Sequence, residues 1–149
     1  MNNIVTGLAA MLALGFASIG PAAAAETPLK LDGVKIVTAQ EAKPMLDRGV
    51  PFIDARVAAE YAEKTIKGAK SLPYREKSAK AVDFDRTQDQ FDLAKLPGDK
   101  NAPVVFFCNA GECWKSYKAS VLARDGGHKQ VYWLRGGMPE WTAKGLPTQ

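Results

Sequence analysis

Two thiols carry the most reactive chemistry in this chain: Cys108 and Cys113, its only cysteines, separated by Asn109-Ala110-Gly111-Glu112. Cys108 ends the apolar run Val104-Val105-Phe106-Phe107, and Trp114 follows Cys113 at once. A glycine-containing loop lets successive backbone N–H groups of Asn109, Ala110, Gly111, Glu112 and Cys113 turn inward. A helix that starts near Cys113 adds the positive end of its dipole, and both effects lower a cysteine pKa. Cys108 then needs no separate base to act as a thiolate. The opposing reading is a buried structural thiol, because unpaired cysteine is among the most buried residue types. Position alone leaves the two readings level.

The other polar candidates read as structural. Asp54, at a strand end before a helix, has the place of a residue that caps backbone N–H groups. Arg56 and Glu60, four apart, suggest an ion pair at the surface or on a lid. His128 is the only histidine, so no conventional metal site is expected, and no cofactor is called for. Gly136-Gly137 lacks the rest of a Gly-x-Gly-x-x-Gly fingerprint. An oxyanion-clamping Cys-x5-Arg phosphatase or arsenate-reductase site is excluded, because the sixth residue after Cys108 is Trp114.

The elements that would position Cys108 follow from patterning. Val34–Val37 is β-branched and apolar, and Thr38-Ala39-Gln40-Glu41 has the form of a capping box. The helix it opens points Ala42, Met45 and Leu46 to the core and ends near Gly49, with Pro44 expected to kink or shorten it. Strand and helix then repeat at Val50–Asp54 and Val57–Lys64, and Gly68–Pro73 turns into a brief third strand. Residues 74–100 are polar, with a candidate helix over Gln88–Leu93. Val104–Cys108 suits a strand buried on both faces of a parallel sheet. Trp114, Tyr117, Lys118, Val121 and Leu122 recur at helical spacing, with Gly126-Gly127 as the stop. Val131–Leu134 is a last strand, and a closing helix begins at Met138-Pro139 with Trp141 as its core anchor. Alternating strands and helices imply an α/β fold with a parallel sheet covered on both faces. Its ligands are expected where strand C-termini meet helix N-termini, the boundary on which Cys108 falls.

Met1–Ala25 contains no charged side chain and carries an apolar run from about Ile4 to Ile19, followed by Gly20-Pro21 and four alanines. This reads as a secretory signal peptide cut after Ala25, which leaves residues 26–149 as one domain and places it in the periplasm. The run is short for a membrane span, so no stable membrane association is expected after cleavage. The 20 basic and 16 acidic residues, net +4, are interspersed, and no stripe of Lys/Arg with aromatics marks a nucleic-acid footprint.

Asp54-Ala55-Arg56, Glu60-Tyr61, Ile66-Lys67-Gly68-Ala69 and Leu72-Pro73 match, in order and spacing, the first signature of rhodanese-like domains. Val104–Cys108 resembles the active-site strand of that family. Val131-Tyr132-Trp133-Leu134-Arg135-Gly136-Gly137 followed by Trp141 resembles its closing segment. The resemblance covers nearly all of residues 26–149. It implies a five-stranded parallel sheet flanked by helices on both faces, with Cys108 carrying sulfur as a persulfide. The implied activity is a sulfurtransferase that moves a sulfane sulfur from a small donor to a thiol or cyanide acceptor, or to a protein thiol, by nucleophilic catalysis. The loop amides of Asn109–Cys113 would stabilise both the thiolate and the anionic intermediate.

The chain also departs from that family. Relatives that use thiosulfate place Arg or Lys within and at the end of the loop, where this chain has Asn109, Glu112 and Cys113. Thiosulfate is therefore a doubtful donor. Lys115 and Lys118 on the next helix are the nearest substitutes, although charged residues on such a helix are mostly solvated. Cys113 has three readings: a packing residue, a disulfide partner of Cys108, or a resolving thiol that attacks a Cys108 persulfide and releases sulfide. Trp114 reads as helix packing beside the site. A thiol–disulfide redox protein using both cysteines, and a non-catalytic rhodanese-like binding module, are the alternative functions.

Overall fold

The computed structural model describes residues 25–149. The expected signal peptide lies outside the described residues apart from Ala25. Among the described residues no helix is long and apolar enough to cross a membrane.

The chain alternates strand and helix as β1 (Val34–Ile36), α1 (Ala39–Asp47), β2 (Phe52–Asp54), α2 (Ala58–Glu63), β3 (Lys70–Ser71), β4 (Pro103–Phe107), α3 (Trp114–Asp125), β5 (Gln130–Leu134) and α4 (Gly137–Ala143). The five strands form one parallel sheet in the order β1-β5-β4-β2-β3. β4 is therefore central, which suits an element whose last four residues, Val104–Phe107, are all buried. Phe107 registers with Asp54 on one side and with Leu134 on the other. Ala55, Cys108 and Arg135 consequently leave the sheet together at its C-terminal edge.

Side chains that alternate along these strands divide between two layers. Phe52, Val105, Phe107 and Leu134 pack with Ala42 and Met45 of α1 and with Met138 and Trp141 of α4. Ile53, Val104, Phe106 and Val131 pack with Ala119 and Ala123 of α3 and with Leu72, Tyr74 and Leu96. A third cluster joins Trp114, Tyr117 and Val121 of α3 to Trp133 of β5 and to Phe84.

The capping box forms as read: Thr38 Oγ1 accepts from the Glu41 N–H, and Glu41 accepts from the Thr38 N–H. Pro44 does not end α1, which continues to Asp47. The bond that this proline cannot donate would have gone to Gln40 in the first turn, and both residues are exposed, so water can satisfy that carbonyl.

The helix expected over Gln88–Leu93 is absent. Two 3₁₀ turns, Arg86–Gln88 and Leu93–Lys95, sit at the ends of that stretch. Between them Gln90 pairs with Arg75 through two backbone bonds of 2.9 and 3.0 Å. Asp85 and Asp92 accept the N–H groups of Thr87 and Ala94, and such local bonds stop helices in favour of turns.

Candidate active site

Cys108 sits just past the end of β4, before the loop that leads into α3. Its side chain is buried, with 1% exposure, and its Sγ is joined to that of Cys113 in a disulfide whose Cα atoms are 6.3 Å apart. Cys113 is partly exposed and occupies the N-cap position of α3. The expected ring of loop amides around a Cys108 thiolate does not form: the sulfur is buried, as in the opposing reading, and the loop N–H groups do not point at it. The Cys113 N–H closes a turn onto the Ala110 carbonyl at 3.1 Å. The backbone N–H that reaches the Cys108 sulfur, at 3.3 Å, belongs instead to Ser116 in the first turn of α3.

Ser116 supplies a second contact, with its Oγ 2.9 Å from Cys108 Sγ. A disulfide sulfur carries no hydrogen, so the hydroxyl is the donor. On its other side the hydroxyl oxygen accepts the indole N–H of Trp133 at 2.9 Å. An indole nitrogen can only donate, so the chain of bonds runs one way, from Trp133 to Ser116 to Cys108. Ser116 and Trp133 are both buried. Ser116 stands outside the apolar and charged periodicity of α3 and so is not marked by that pattern. The available signal was a hydroxyl in the first turn of the helix that follows the cysteine loop.

Two further contacts shape the loop. The Asn109 side chain donates to Glu60 Oε1 at 2.6 Å, tying the loop to α2. The N-terminal segment crosses the loop on another side: Thr27 bonds Gly111 O through its N–H at 2.8 Å and its Oγ1 at 2.6 Å. Arg135 donates to Thr27 O at 2.8 Å and to Thr27 Oγ1 at 3.1 Å. Its guanidinium lies so close to Gly111 that an added Cβ there would come within 2.8 Å of Nη2. A cation does stand beside the loop, contributed by the end of β5. Ala110 and Glu112 are exposed.

Several expected roles change. Arg56 does not pair with Glu60; its guanidinium binds the fully buried Asp54 at 2.7 and 3.0 Å. Asp54 also accepts the Arg56 N–H at 3.0 Å and the Thr65 hydroxyl at 2.8 Å. The reason is that α2 begins at Ala58, so Arg56 precedes the helix and shares no helical face with Glu60. A cleft of about 310 Å³, lined in part by Arg56, Glu60, Asn109 and Met138, lies between α2, the loop and α4.

Lys118, expected to be solvated, is completely buried. Its Nζ lies 2.9 Å from Glu76 Oε2 and 3.6 Å from Asp89 Oδ2, and donates to Ser78 Oγ at 2.8 Å. The 74–89 segment folds over α3 and supplies these partners, so this lysine is not available as a donor-binding cation. Burial works to raise the Asp89 pKa. Bonds from the Ser78 side chain and backbone, the Lys77 backbone and the Tyr74 hydroxyl outweigh it and hold the carboxyl down to about 2. Lys115 is half-buried on α3.

Trp114 is buried, stacks edge-on against Tyr117 at 5.1 Å, and donates to the Ala25 carbonyl at 2.8 Å. His128 is buried with Nδ1 unpartnered, and burial, with a smaller effect from Lys100, lowers its pKa. Among the described residues no cluster of three or more His, Cys, Asp or Glu side chains is arranged to hold a metal ion.

Comparison with known proteins places the fold. A comparison with curated proteins finds no match. A rhodanese-like domain from Anabaena sp. is 24% identical, over 80% of this chain and 80% of its own, with a TM-score of 0.55. The polysulfide-sulfur transferase homodimer of Wolinella succinogenes is 24% identical, over 78% of this chain and 79% of its own, with a TM-score of 0.56. A thiosulfate sulfurtransferase from Pseudomonas aeruginosa is 23% identical over 78% of this chain but only 20% of its own, with a TM-score of 0.57. The family model of the rhodanese-like domain matches residues 38–144, which takes in every strand but β1 and all four helices, and on that match the chain belongs to the rhodanese-like domain family.

Proposed function

We propose that this protein is a sulfurtransferase that carries sulfane sulfur on Cys108 and closes its cycle through Cys113. The observation that carries this reading is the pair of donors on Cys108 Sγ, the Ser116 hydroxyl at 2.9 Å and the Ser116 N–H at 3.3 Å. Two donors aimed at one sulfur stabilise it when it bears negative charge, as the Cys108 thiolate does before it attacks a donor and after the outer sulfur has been handed on. Two external thiols reduce the Cys108–Cys113 disulfide and leave as a disulfide of their own, which frees the nucleophile. The Cys108 thiolate then attacks the sulfane sulfur of a small donor, the donor remnant leaves with the electron pair, and a Cys108 persulfide remains.

Two exits from the persulfide follow. An external thiol or cyanide takes the outer sulfur and returns the Cys108 thiolate. Alternatively, the Cys113 thiolate attacks Cys108 Sγ, the persulfide S–S bond breaks, hydrosulfide departs and the disulfide re-forms. Polysulfide or persulfide donors suit the loop better than thiosulfate, because the loop itself carries Asn109 and Glu112 where a sulfonate would need cations. The apolar, uncharged residues 1–25 support action in the periplasm, where such a disulfide persists.

The disulfide itself favours a second reading, a thiol–disulfide redox protein in which the two cysteines cycle without carrying extra sulfur. Intact-mass measurement separates the two. The reduced protein, mixed with a polysulfide, a mercaptosulfonate donor or thiosulfate, should gain the mass of one sulfur and pass it to an added thiol. Cys108→Ser should abolish the gain, whereas Cys113→Ser should keep or raise it. A reduced protein that exchanges disulfides but takes no sulfur from any of these donors would establish the redox reading instead.

A further inference from the structure

We propose that Ser116, oriented by Trp133, sets the direction in which the Cys108–Cys113 disulfide opens: an incoming thiolate bonds to Cys113, and Cys108 is the sulfur that leaves. This rests on the reading that the disulfide is opened by thiols during the cycle. In thiol–disulfide exchange, the sulfur attacked is the accessible one, and the sulfur expelled is the one that better bears negative charge. Both criteria point the same way here.

Access favours Cys113. It is partly exposed, at the head of α3, whereas Cys108 is buried at the end of the central strand. With 1% of its surface exposed, Cys108 offers an incoming thiolate almost no surface to attack.

Charge stabilisation favours Cys108 as the leaving group. Its sulfur receives the Ser116 hydroxyl at 2.9 Å and the Ser116 N–H at 3.3 Å. Because Trp133 Nε1–H already occupies one lone pair of the Ser116 oxygen, the hydroxyl proton is held toward the sulfur. The Ser120 hydroxyl donates to the Ser116 carbonyl at 2.8 Å, which adds a further bond to the turn that aims these donors. No hydroxyl or amide among the described residues bonds Cys113 Sγ in the same way.

The step balances simply. The thiolate sulfur forms a bond to Cys113 Sγ, the Sγ–Sγ bond breaks, and its electron pair stays on Cys108 as a thiolate. The product is a mixed disulfide on Cys113 with Cys108 ready to attack a sulfur donor. A second thiol then displaces the first from Cys113, which gives the dithiol and an oxidised small-molecule disulfide. Ser116 and Trp133 are positioning residues in this scheme, since neither exchanges a bond.

The deciding experiment uses the oxidised wild-type protein and glutathione. The reaction is quenched with acid at early times, free thiols are alkylated, and peptides are sequenced by mass spectrometry. Glutathione should be found on Cys113 and the alkyl group on Cys108. Glutathione on Cys108, or equally on both, would overturn the assignment.

A second measurement follows the Cys108 pKa by ultraviolet thiolate absorbance in the Cys113→Ser background. Ser116→Ala should raise that pKa by about one, and in the protein with both cysteines it should slow reduction by glutathione about tenfold, the loss expected for a bond to a charged group. Trp133→Phe keeps an aromatic ring and should move both quantities in the same direction, and Ser116→Thr should restore them toward wild type. A purely structural role would leave the Cys108 pKa of folded Ser116→Ala unchanged, and that result would also overturn the proposal. If Ser116→Ala does not fold, the wild-type trapping result decides alone. Failure of sulfur transfer would appear separately, as no added sulfur mass on reduced Cys108.

Discussion

Thr27 and Gly111 lie 84 residues apart in sequence and are joined by two hydrogen bonds, from the Thr27 N–H at 2.8 Å and its hydroxyl at 2.6 Å, both to the Gly111 carbonyl. Arg135 grips Thr27 from the other side. The segment just after Ala25 is thereby a strap across the loop that holds the two cysteines. Such a strap restrains both the loop and access to it.

Thr27→Ala keeps the N–H bond but removes both bonds of the hydroxyl, the one it donates to the Gly111 carbonyl and the one it accepts from Arg135. Local opening of the loop should become easier by about 1–2 kcal/mol, the net worth of one or two hydrogen bonds. Hydrogen exchange at the amides of residues 110–113 should speed up by about tenfold, while amides of β4 stay protected. Equal protection of the loop in both proteins would show that the strap does not restrain it.

Lys118→Met should destabilise the fold strongly. It leaves Glu76 and Asp89 facing each other without the buried ammonium that lies 2.9 and 3.6 Å from them. Breaking a buried pair by removing one partner costs about 3–5 kcal/mol. Urea denaturation would measure it as a lowered midpoint with an unchanged slope. The double variant Lys118→Met/Glu76→Gln should recover part of the loss, because it removes one of the stranded charges.

Gly137→Ala tests the close approach of α4 to the site. Gly137 has φ of +55°, and an added Cβ would overlap the Cys108 carbonyl, which also accepts the Met138 N–H at 2.9 Å. Left-handed strain of about 1–3 kcal/mol adds to this clash. A lower thermal midpoint is expected, together with loosened protection of Cys108 against alkylation after reduction.

Asp89 predicts a component of the acid limb of stability. Its carboxyl falls from an ordinary value of 3.8 to about 2 in the folded protein. A depressed acid pKa contributes stability that is complete above the unfolded value and lost as pH falls through the folded one. The contribution should therefore fade between about pH 4 and pH 2. In Asp89→Asn, the loss of stability relative to wild type should shrink as pH is lowered across that window; a difference constant across it would remove Asp89 from the account.

Much of the frame was legible in the residues. The Thr38–Glu41 box, the β4 run from Val104 and the Gly126 stop of α3 are signals written in consecutive residues: bonds within a turn enforce the first and last, and an unbroken apolar run suits only a strand covered on both faces. Pro44 is accommodated inside α1 for an equally local reason, since its missing bond falls in the exposed first turn. The helix over Gln88–Leu93 failed because Gln90 has a distant partner, Arg75.

Sequence by itself determined that two thiols sit at a strand-to-helix boundary in a parallel α/β domain, because period, caps and spacing act over a few residues. Only the tertiary structure decided what surrounds the sulfur. The Trp133–Ser116–Cys108 chain, the burial of Lys118 and the Thr27 strap each join residues far apart in the chain. Such partners meet only when the sheet order and the packing around it bring them within hydrogen-bond reach, and no spacing along the chain encodes that distance.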